Sequence, residues 1–169
     1  MSYPSHILVA AVLSVAASPV WAVCAGNQET VFACSLGAKQ VELCLTPTED
    51  RVTYRFGPAQ APEIELTRDF DEISMQPWHG IGRTIWDRVT IPNGDYSYSL
   101  SWSLDKIEQE ISGGIEVARG ETVLASMTCV DAGESGAIMG RLETLSVAMQ
   151  DAGLCRSETY EALREGPCE

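Results

Sequence analysis

The feature that most constrains this fold is a two-residue alternation of apolar and polar side chains that runs through residues 30–130. The clearest stretch is residues 96–104, in which serines separate Tyr96, Tyr98, Leu100, Trp102 and Leu104. Side chains of a β-strand alternate between its two faces, so this period predicts strands with one apolar and one polar face. Such strands are typical of antiparallel sheets. We therefore expect a mainly β fold.

Short turn-forming segments separate the strand patterns. Each contains a glycine, and they are Gly37-Ala38-Lys39, Pro92-Asn93-Gly94 and Arg119-Gly120-Glu121. About eight short strands joined by tight turns favour a small barrel or sandwich. A barrel also removes the open sheet edges that invite aggregation. We expect a small antiparallel barrel of about eight strands over residues 23–130.

An apolar segment precedes the strands. In residues 7–17 the only polar residue is Ser14, and the segment Val20-Trp21-Ala22 then offers the small residues that a signal peptidase prefers at its −3 and −1 positions. The alternative, a buried N-terminal helix, is disfavoured because the segment lacks helical periodicity. The run is too short to span a bilayer of roughly 30 Å. We predict a signal peptide at residues 1–22, a periplasmic or secreted protein, and no transmembrane segment after cleavage.

The six cysteines all follow the predicted signal peptide. An even number of cysteines in an oxidising compartment indicates disulfide bonds. Zinc sites usually need close ligand pairs, whereas this chain has no C-x-x-C motif and only His79 as a histidine after residue 22. We therefore expect disulfides and no metal or other cofactor.

The strand faces restrict how the cysteines pair. Cys34 shares the predicted inward face with Phe32, whereas Cys44 shares the outward face with Glu42. Two cysteines on opposite faces of one hairpin cannot bring their Cβ atoms to the required distance of about 3.8 Å. Six cysteines allow about fifteen connectivities. Among those without a Cys34–Cys44 bond we favour the set Cys34–Cys129, Cys24–Cys44 and Cys155–Cys168.

Beyond Val130 the apolar period changes to that of a helix. The apolar residues are spaced by four, three, four and three positions and are Ile138, Leu142, Leu145, Met149 and Ala152. Ser135 suits the start of this helix and Gly153 its end. Ser157 suits the start of a second short helix that continues through Arg164. We predict a helical, disulfide-tied appendage at residues 131–169, docked on the barrel.

The charge balance excludes one class of function and favours a class of partner. Acidic residues number 24 and basic residues 11, which gives a formal net charge of −13. A free-standing nucleic-acid-binding protein needs a basic surface, so we expect no nucleic-acid partner. An acidic surface attracts a basic protein by electrostatic steering.

The segment 77–83 has the most unusual composition in the chain. It combines Trp78, His79 and Arg83 with two glycines. A tryptophan and an arginine are the residue types most enriched in binding hot spots, and a histidine titrates near neutral pH. We take Trp78, His79 and Arg83 as candidate binding residues. The alternative is a structural loop with Trp78 packed on the barrel.

The first strands resemble a known family. The residues that carry the resemblance are Val31-Phe32-Ala33-Cys34-Ser35-Leu36-Gly37, then Val41, then Val52-Thr53-Tyr54-Arg55. They resemble the opening of the small periplasmic and membrane-bound inhibitors of c-type lysozyme. The resemblance implies an eight-stranded antiparallel barrel, a late cysteine bonded to the first strand, and inhibition of a c-type lysozyme. Neither Lys39 nor Lys106 precedes a glycine as in the family's inhibitory Lys-Gly turn, so no inhibitory residue is assigned.

These observations lead to one preferred function and two alternatives. We expect an exported, non-enzymatic binding protein of the bacterial envelope whose partner is a basic protein such as a c-type lysozyme. The first alternative is a small periplasmic hydrolase that uses acidic residues near the 77–83 loop. The second is a structural component of the envelope. No catalytic residue is singled out.

Overall fold

The computed structural model describes residues 24, 26–48, 50–130, 138–157 and 160–165. These residues form twelve β-strands, one α-helix and one 3-10 turn, which confirms a mainly β fold. All strand pairs are antiparallel, also as expected. The predicted signal peptide, residues 1–22, lies outside the described residues and stays a prediction.

The described strands form two five-stranded sheets and one hairpin. The first sheet contains β1 (Glu29–Ser35), β2 (Gln40–Thr46), β3 (Arg51–Gly57), β4 (Ile64–Asp69) and β10 (Ile138–Met139), in the spatial order β10-β1-β2-β3-β4. The second sheet contains β5 (Ser74–Gln76), β6 (Thr84–Asn93), β7 (Tyr96–Asp105), β8 (Ile111–Arg119) and β9 (Thr122–Thr128) in chain order. The hairpin is β11 (Leu154–Ser157) with β12 (Tyr160–Glu165). A 3-10 turn, Phe70–Glu72, leads from the first sheet to the second.

The two sheets share one apolar core. In the first sheet, Phe32, Leu43 and Tyr54 occupy paired positions on neighbouring strands and are fully buried. On the second sheet, the core-facing side has a row of buried residues at paired positions, which are Val89, Leu100 and Ile115. The rings of Tyr54 and Tyr98 stack between the sheets with their centroids 5.2 Å apart. The alternating apolar faces read from the sequence are therefore the faces that meet in the core.

The hairpin between β6 and β7 is tighter than the predicted turn. Asn93 pairs with Tyr96, so Pro92 and Asn93 belong to the strand and the turn consists of Gly94 and Asp95. Gly94 has a φ of 60°, which a glycine adopts without strain. A positive φ at the first central residue is the usual geometry of a two-residue hairpin turn.

The predicted closed barrel is wrong for the residues that the structure describes. The edge of β1 that a closing strand would need is taken by β10, because Ala33 pairs with Met139 and Cys34 with Ile138. The end of the second sheet reaches β1 only just beyond β9, where the Val130 N–H donates to the Ser35 carbonyl at 2.9 Å. The outcome is two sheets around one core, with more strands than the eight expected.

The disulfide bonds agree with the cysteine pairings that were favoured from the strand faces. Cys34 is bonded to Cys129, with Cα atoms 5.6 Å apart, and Cys24 is bonded to Cys44. These are two of the three pairings favoured from the sequence. In the third, Cys155 is disulfide-bonded, but Cys168 lies outside the described residues.

The outward face of β2 is buried at Glu42 and Cys44, whereas the alternation predicts a solvent-exposed face. Cys44 is fully buried and Glu42 is only 3% exposed. The bond to Cys44 brings Cys24 onto this face, where Cys24 is itself buried. Burial raises the pKa of the Glu42 carboxyl, an effect that nearby Arg55 partly offsets.

The appendage contains one of the two predicted helices. Helix α1 (Glu143–Asp151) buries Leu145 and Met149 completely, and Leu142 at its N-cap is also fully buried, as the apolar spacing predicts. Ala152, the last residue of the predicted face, follows the helix and is exposed. It begins later than expected, because Ile138 lies in β10 and not on the helical face. The predicted N-cap, Ser135, lies outside the described residues. Gly153, with a φ of 91°, follows the end of the helix as expected.

The second predicted helix, Ser157 to Arg164, is wrong. The described residues of this segment belong to the β11–β12 hairpin, in which Cys155 pairs with Arg164. The hairpin buries Leu154 and Leu163, its two strands pair with each other, and it packs beside β5. The tail is therefore a helix followed by a hairpin.

Helix length also bears on membrane crossing. Within the described parts of the chain, no helix has the length and apolar composition needed to cross a bilayer.

Candidate functional site

The 77–83 loop joins β5 to β6 and is fixed at its base. The Trp78 backbone N–H donates to the carboxylate of Asp87 at 3.1 Å. The guanidinium of Arg156, from the tail hairpin, donates to the carbonyl oxygen of Pro77. Asp87 is only 5% exposed, so the first of these bonds lies beneath the loop. The start of the loop is therefore held by two other elements of the fold.

The side chain of Trp78 has its partners within the chain. Its indole N–H donates to the Ile81 carbonyl at 3.0 Å. The ammonium group of Lys106 lies 5.0 Å from the centre of its ring, which is a cation–π distance. The Trp78 residue is partly buried. This arrangement favours the structural interpretation of Trp78.

Arg83 is also engaged by its own chain. Its guanidinium donates to the carboxylate of Asp105, with Nε 2.9 Å from Oδ1, and to Glu108 at 3.3 Å. The hydrogen bond from Arg83 is the main cause that lowers the pKa of Asp105 to about 2. The Arg83 side chain remains half exposed, so the pair lies at the surface.

His79, like Arg83, is exposed, whereas Trp78 is partly buried. The His79 ring meets the ring of Trp86 edge-on with the centroids 5.8 Å apart. The structure thus places Trp78, His79 and Arg83 on one loop. The side chains of Trp78 and Arg83 have hydrogen-bond partners within the chain.

Three described carboxylates beside the loop form hydrogen bonds with it. Asp105 and Glu108 bind Arg83, and Asp87 accepts the Trp78 backbone N–H. Burial is the largest influence on Asp87 and raises the pKa of its carboxyl. Each of these acidic residues therefore has a structural task in holding the loop.

A second site, which sequence reasoning missed, is a cleft of about 500 Å³ between α1 and the first sheet. Its apolar lining includes Leu45 and Phe70, which are 4% exposed, and Val147, which is 51% exposed. Three carboxylates also line it: Glu29 from the start of β1, Asp50 from the β2–β3 turn, and Asp151 from the last turn of α1. We call this site the acidic cleft and define it by Glu29, Asp50, Asp151 and these apolar residues.

The charges of the acidic cleft have no basic partner in the described part of the chain. Among the residues that the structure describes, none of the ion pairs involves Glu29, Asp50 or Asp151. The described lining residues include no lysine or arginine. Other surface carboxylates do have such partners, for example Asp69 with Arg51 and Glu65 with Arg55.

Helix α1 adds to the negative potential. The C-terminal end of a helix carries a partial negative charge, which favours a basic residue there and disfavours an acidic one. The last turn of α1 nevertheless contains Asp151 and no basic residue. A residue that breaks a local stability rule is often retained for function. This end of α1 would therefore complement a cation from outside the chain.

The fold fixes the rim of the cleft at Asp50. Asp50 has a φ of 48°, a left-handed conformation that non-glycine residues seldom adopt. Its carbonyl oxygen accepts the Phe70 N–H at 3.0 Å, which ties the β2–β3 turn to the 3-10 turn. The same contact places an acidic residue and an apolar residue side by side in the cleft.

Comparisons of the chain with protein-family models, curated proteins and solved structures find no significant match. The described residues also contain no group of three or more His, Cys, Asp or Glu side chains arranged to hold a metal ion.

Proposed function

We propose that this chain is an exported, non-enzymatic binding protein of the bacterial envelope that docks a basic protein in the acidic cleft. The observation that carries the proposal is the set of three carboxylates, Glu29, Asp50 and Asp151, around one cleft without a basic partner in the described structure. The formal net charge of −13 would add long-range attraction for such a partner. A c-type lysozyme is the basic partner that the sequence resemblance suggests.

The apolar part of the cleft lining favours a protein side chain over a simple cation. Arginine and lysine carry an apolar stem below their charged head. Phe70 and Val147 would receive the stem, while the carboxylates would face the charge. An arginine that binds a carboxylate can form two parallel hydrogen bonds, so a partner arginine is the group that fits best.

The disulfides support export. Disulfides persist in oxidising compartments and are rare in the cytosol. The Cys34–Cys129 and Cys24–Cys44 bonds are therefore compatible with a periplasmic or secreted protein.

The proposal is tested by titrating a c-type lysozyme against the chain, which is produced by export so that its disulfides form. The test variant carries Glu29→Gln, Asp50→Asn and Asp151→Asn. The matched control carries Glu110→Gln, Glu116→Gln and Glu161→Gln, which remove the same charge from surfaces outside the cleft. We expect binding by the wild type, inhibition of lysozyme activity, and weaker binding in high salt because salt screens surface charges.

The comparison between the two triple variants tests whether the partner binds at the acidic cleft. We expect the cleft variant to bind at least about tenfold more weakly than the control, because close charge pairs across interfaces contribute more than distant ones. Equal binding by both variants would place the partner elsewhere on the surface. An absence of lysozyme binding at micromolar concentrations would remove lysozyme as the partner.

A further inference from the structure

The edges of the two five-stranded sheets are protected in different ways. An open edge exposes unpaired backbone N–H and C=O groups, and proteins block it with short strands, charged residues or a covering element. In the first sheet, β10 has two residues and β4 carries Glu65, Arg68 and Asp69. In the second sheet, β5 has three residues and packs against β12. Three edges thus follow known protective patterns.

The fourth edge, β9, is neither short nor charged, and no other element covers it in the described structure. It is seven residues long and contains no charged residue, proline or glycine. Within the described residues it pairs only with β8. Six of its seven residues are exposed, including Val123 at 53% and Leu124 at 55%. A long, uncharged and exposed edge strand is a template for another strand.

Strand β9 contains a bulge at Leu124. Val117 pairs with Ala125 and Ala118 pairs with Val123, so Leu124 is an extra residue that has no partner on β8. Bulges of this kind often turn an edge away from pairing. Here the bulge leaves an apolar side chain in solvent, while residues 125–128 stay in regular register. The uncharged part of the edge therefore remains available.

We propose that β9 pairs with β9 of a second copy of this chain, so that two second sheets join into one continuous sheet. Charge selects this occupant. A basic partner would be drawn to the acidic surfaces, whereas β9 offers no charge to it. An uncharged strand complements another uncharged strand, and antiparallel pairing of identical strands is compatible with the two-fold symmetry of most dimers.

Interface area and net charge predict the strength and the salt dependence of the dimer. Pairing of one edge strand buries less than the roughly 1,200–2,000 Å² of a stable interface, so the dimer is weak and concentration-dependent. Each copy carries a formal net charge of −13, so the copies repel at low ionic strength. Salt screens that repulsion and strengthens the dimer. This dependence is opposite to the one expected for a basic partner.

Sedimentation equilibrium of the exported chain tests the proposal over a range of protein and salt concentrations. The variant is Leu124→Lys, which places on the edge the residue that most often blocks edge pairing. It also lowers the net negative charge, so general electrostatics would favour its association. The control is Ile81→Lys, which makes the same kind of change at a residue 76% exposed on the 77–83 loop.

We expect the wild type and Ile81→Lys to dimerise with similar constants, more tightly in high salt, and Leu124→Lys to associate at least tenfold more weakly. Because Leu124 is exposed, its replacement should leave the melting temperature nearly unchanged. Hydrogen exchange of the wild type should slow in residues 122–128 as the protein concentration rises. A wild type that stays monomeric at all concentrations, or a Leu124→Lys variant that dimerises like the wild type, would overturn the proposal.

Discussion

Cys34 in β1 is bonded to Cys129 just beyond β9, across 95 residues of chain. The bond joins the first sheet to the second at the place where a closed barrel would have paired β1 with the last strand of the second sheet. Since β10 occupies that edge of β1, the disulfide and one backbone hydrogen bond replace a ladder of strand pairing. Of the two disulfides formed between described residues, it is the one that links the two sheets.

The two disulfides should differ in what they contribute to stability. A disulfide restricts the unfolded chain more when it closes a longer loop. Removing the Cys34–Cys129 bond by Cys34→Ser with Cys129→Ser should cost about 4–5 kcal/mol of unfolding free energy, and removing the 20-residue Cys24–Cys44 link about 3 kcal/mol. Urea unfolding of both double variants measures the difference. A larger loss from the Cys24–Cys44 pair would contradict this ranking.

The sequence predicted the parts of the fold that depend on local patterns. Alternation located most strands, and the position of Cys34 and Cys44 on opposite faces of their hairpin ruled out their pairing. Barrel closure failed because Ile138 and Met139 compete for the edge of β1, and a two-residue strand has no period to detect. The tail hairpin was missed because its strands are short, and their stability comes from packing beside β5.

The Arg83–Asp105 pair should be visible in the titration of Asp105. The pKa of this carboxyl is about 2, and Arg83→Ala should raise it toward the ordinary value of about 3.9, because the hydrogen bond from Arg83 is its largest influence. Carboxyl chemical shifts measured by NMR against pH report this change.

The same pair also affects stability with a defined sign. A carboxyl whose pKa is lowered by folding stabilises the fold above its unfolded-state pKa of about 3.9 and loses that contribution as the pH falls toward 2. The stability difference between wild type and Arg83→Ala should therefore shrink over this range. An Asp105 titration that is unchanged in Arg83→Ala would show that another group sets its pKa.

Asp87 should show the opposite pH dependence. Burial raises the pKa of its carboxyl, so the folded state binds this proton more tightly than the unfolded state does. The contribution to stability then falls as the pH rises from the unfolded-state pKa of about 3.9 to the raised pKa of the folded state. Asp87→Asn keeps an oxygen to accept the Trp78 N–H but does not titrate.

Melting temperatures measured from pH 3 to pH 7 test the role of Asp87. Relative to the wild type, Asp87→Asn should gain stability as the pH rises through that window. Glu110→Gln removes one carboxylate from an exposed residue and serves as the matched control. A variant that loses stability toward neutral pH would mean that the ionised carboxylate is favoured in the fold.

Asp151 should reduce the stability of α1 while serving the acidic cleft. Replacing an acidic residue in the last turn of a helix removes an unfavourable interaction with the helix dipole, typically about 0.3–1 kcal/mol. Asp151→Asn should therefore raise the free energy of unfolding by that amount and weaken binding of a basic partner. Urea unfolding and partner titration of the same variant give both values. A loss of stability would assign Asp151 a structural role.

The acidic cleft was not predictable from local sequence patterns. Glu29, Asp50 and Asp151 come from three distant segments, and only the packing of α1 beside the first sheet brings them together. The one local signal was Asp151, an acidic residue at the end of a predicted helix. The composition of the 77–83 loop is visible in the sequence, whereas its hydrogen bonds to Asp87, Asp105 and Arg156 depend on the tertiary fold.

Docking of a basic protein in the acidic cleft is tested most directly by mapping where such a partner binds. Amide chemical shifts of the exported, isotope-labelled chain are measured by NMR during titration with unlabelled c-type lysozyme. We expect the largest changes around Leu45, Asp50 and Val147 in the acidic cleft, and we expect them to diminish in high salt. Changes centred on Trp78, His79 and Arg83, with the cleft unaffected, would contradict docking in the cleft.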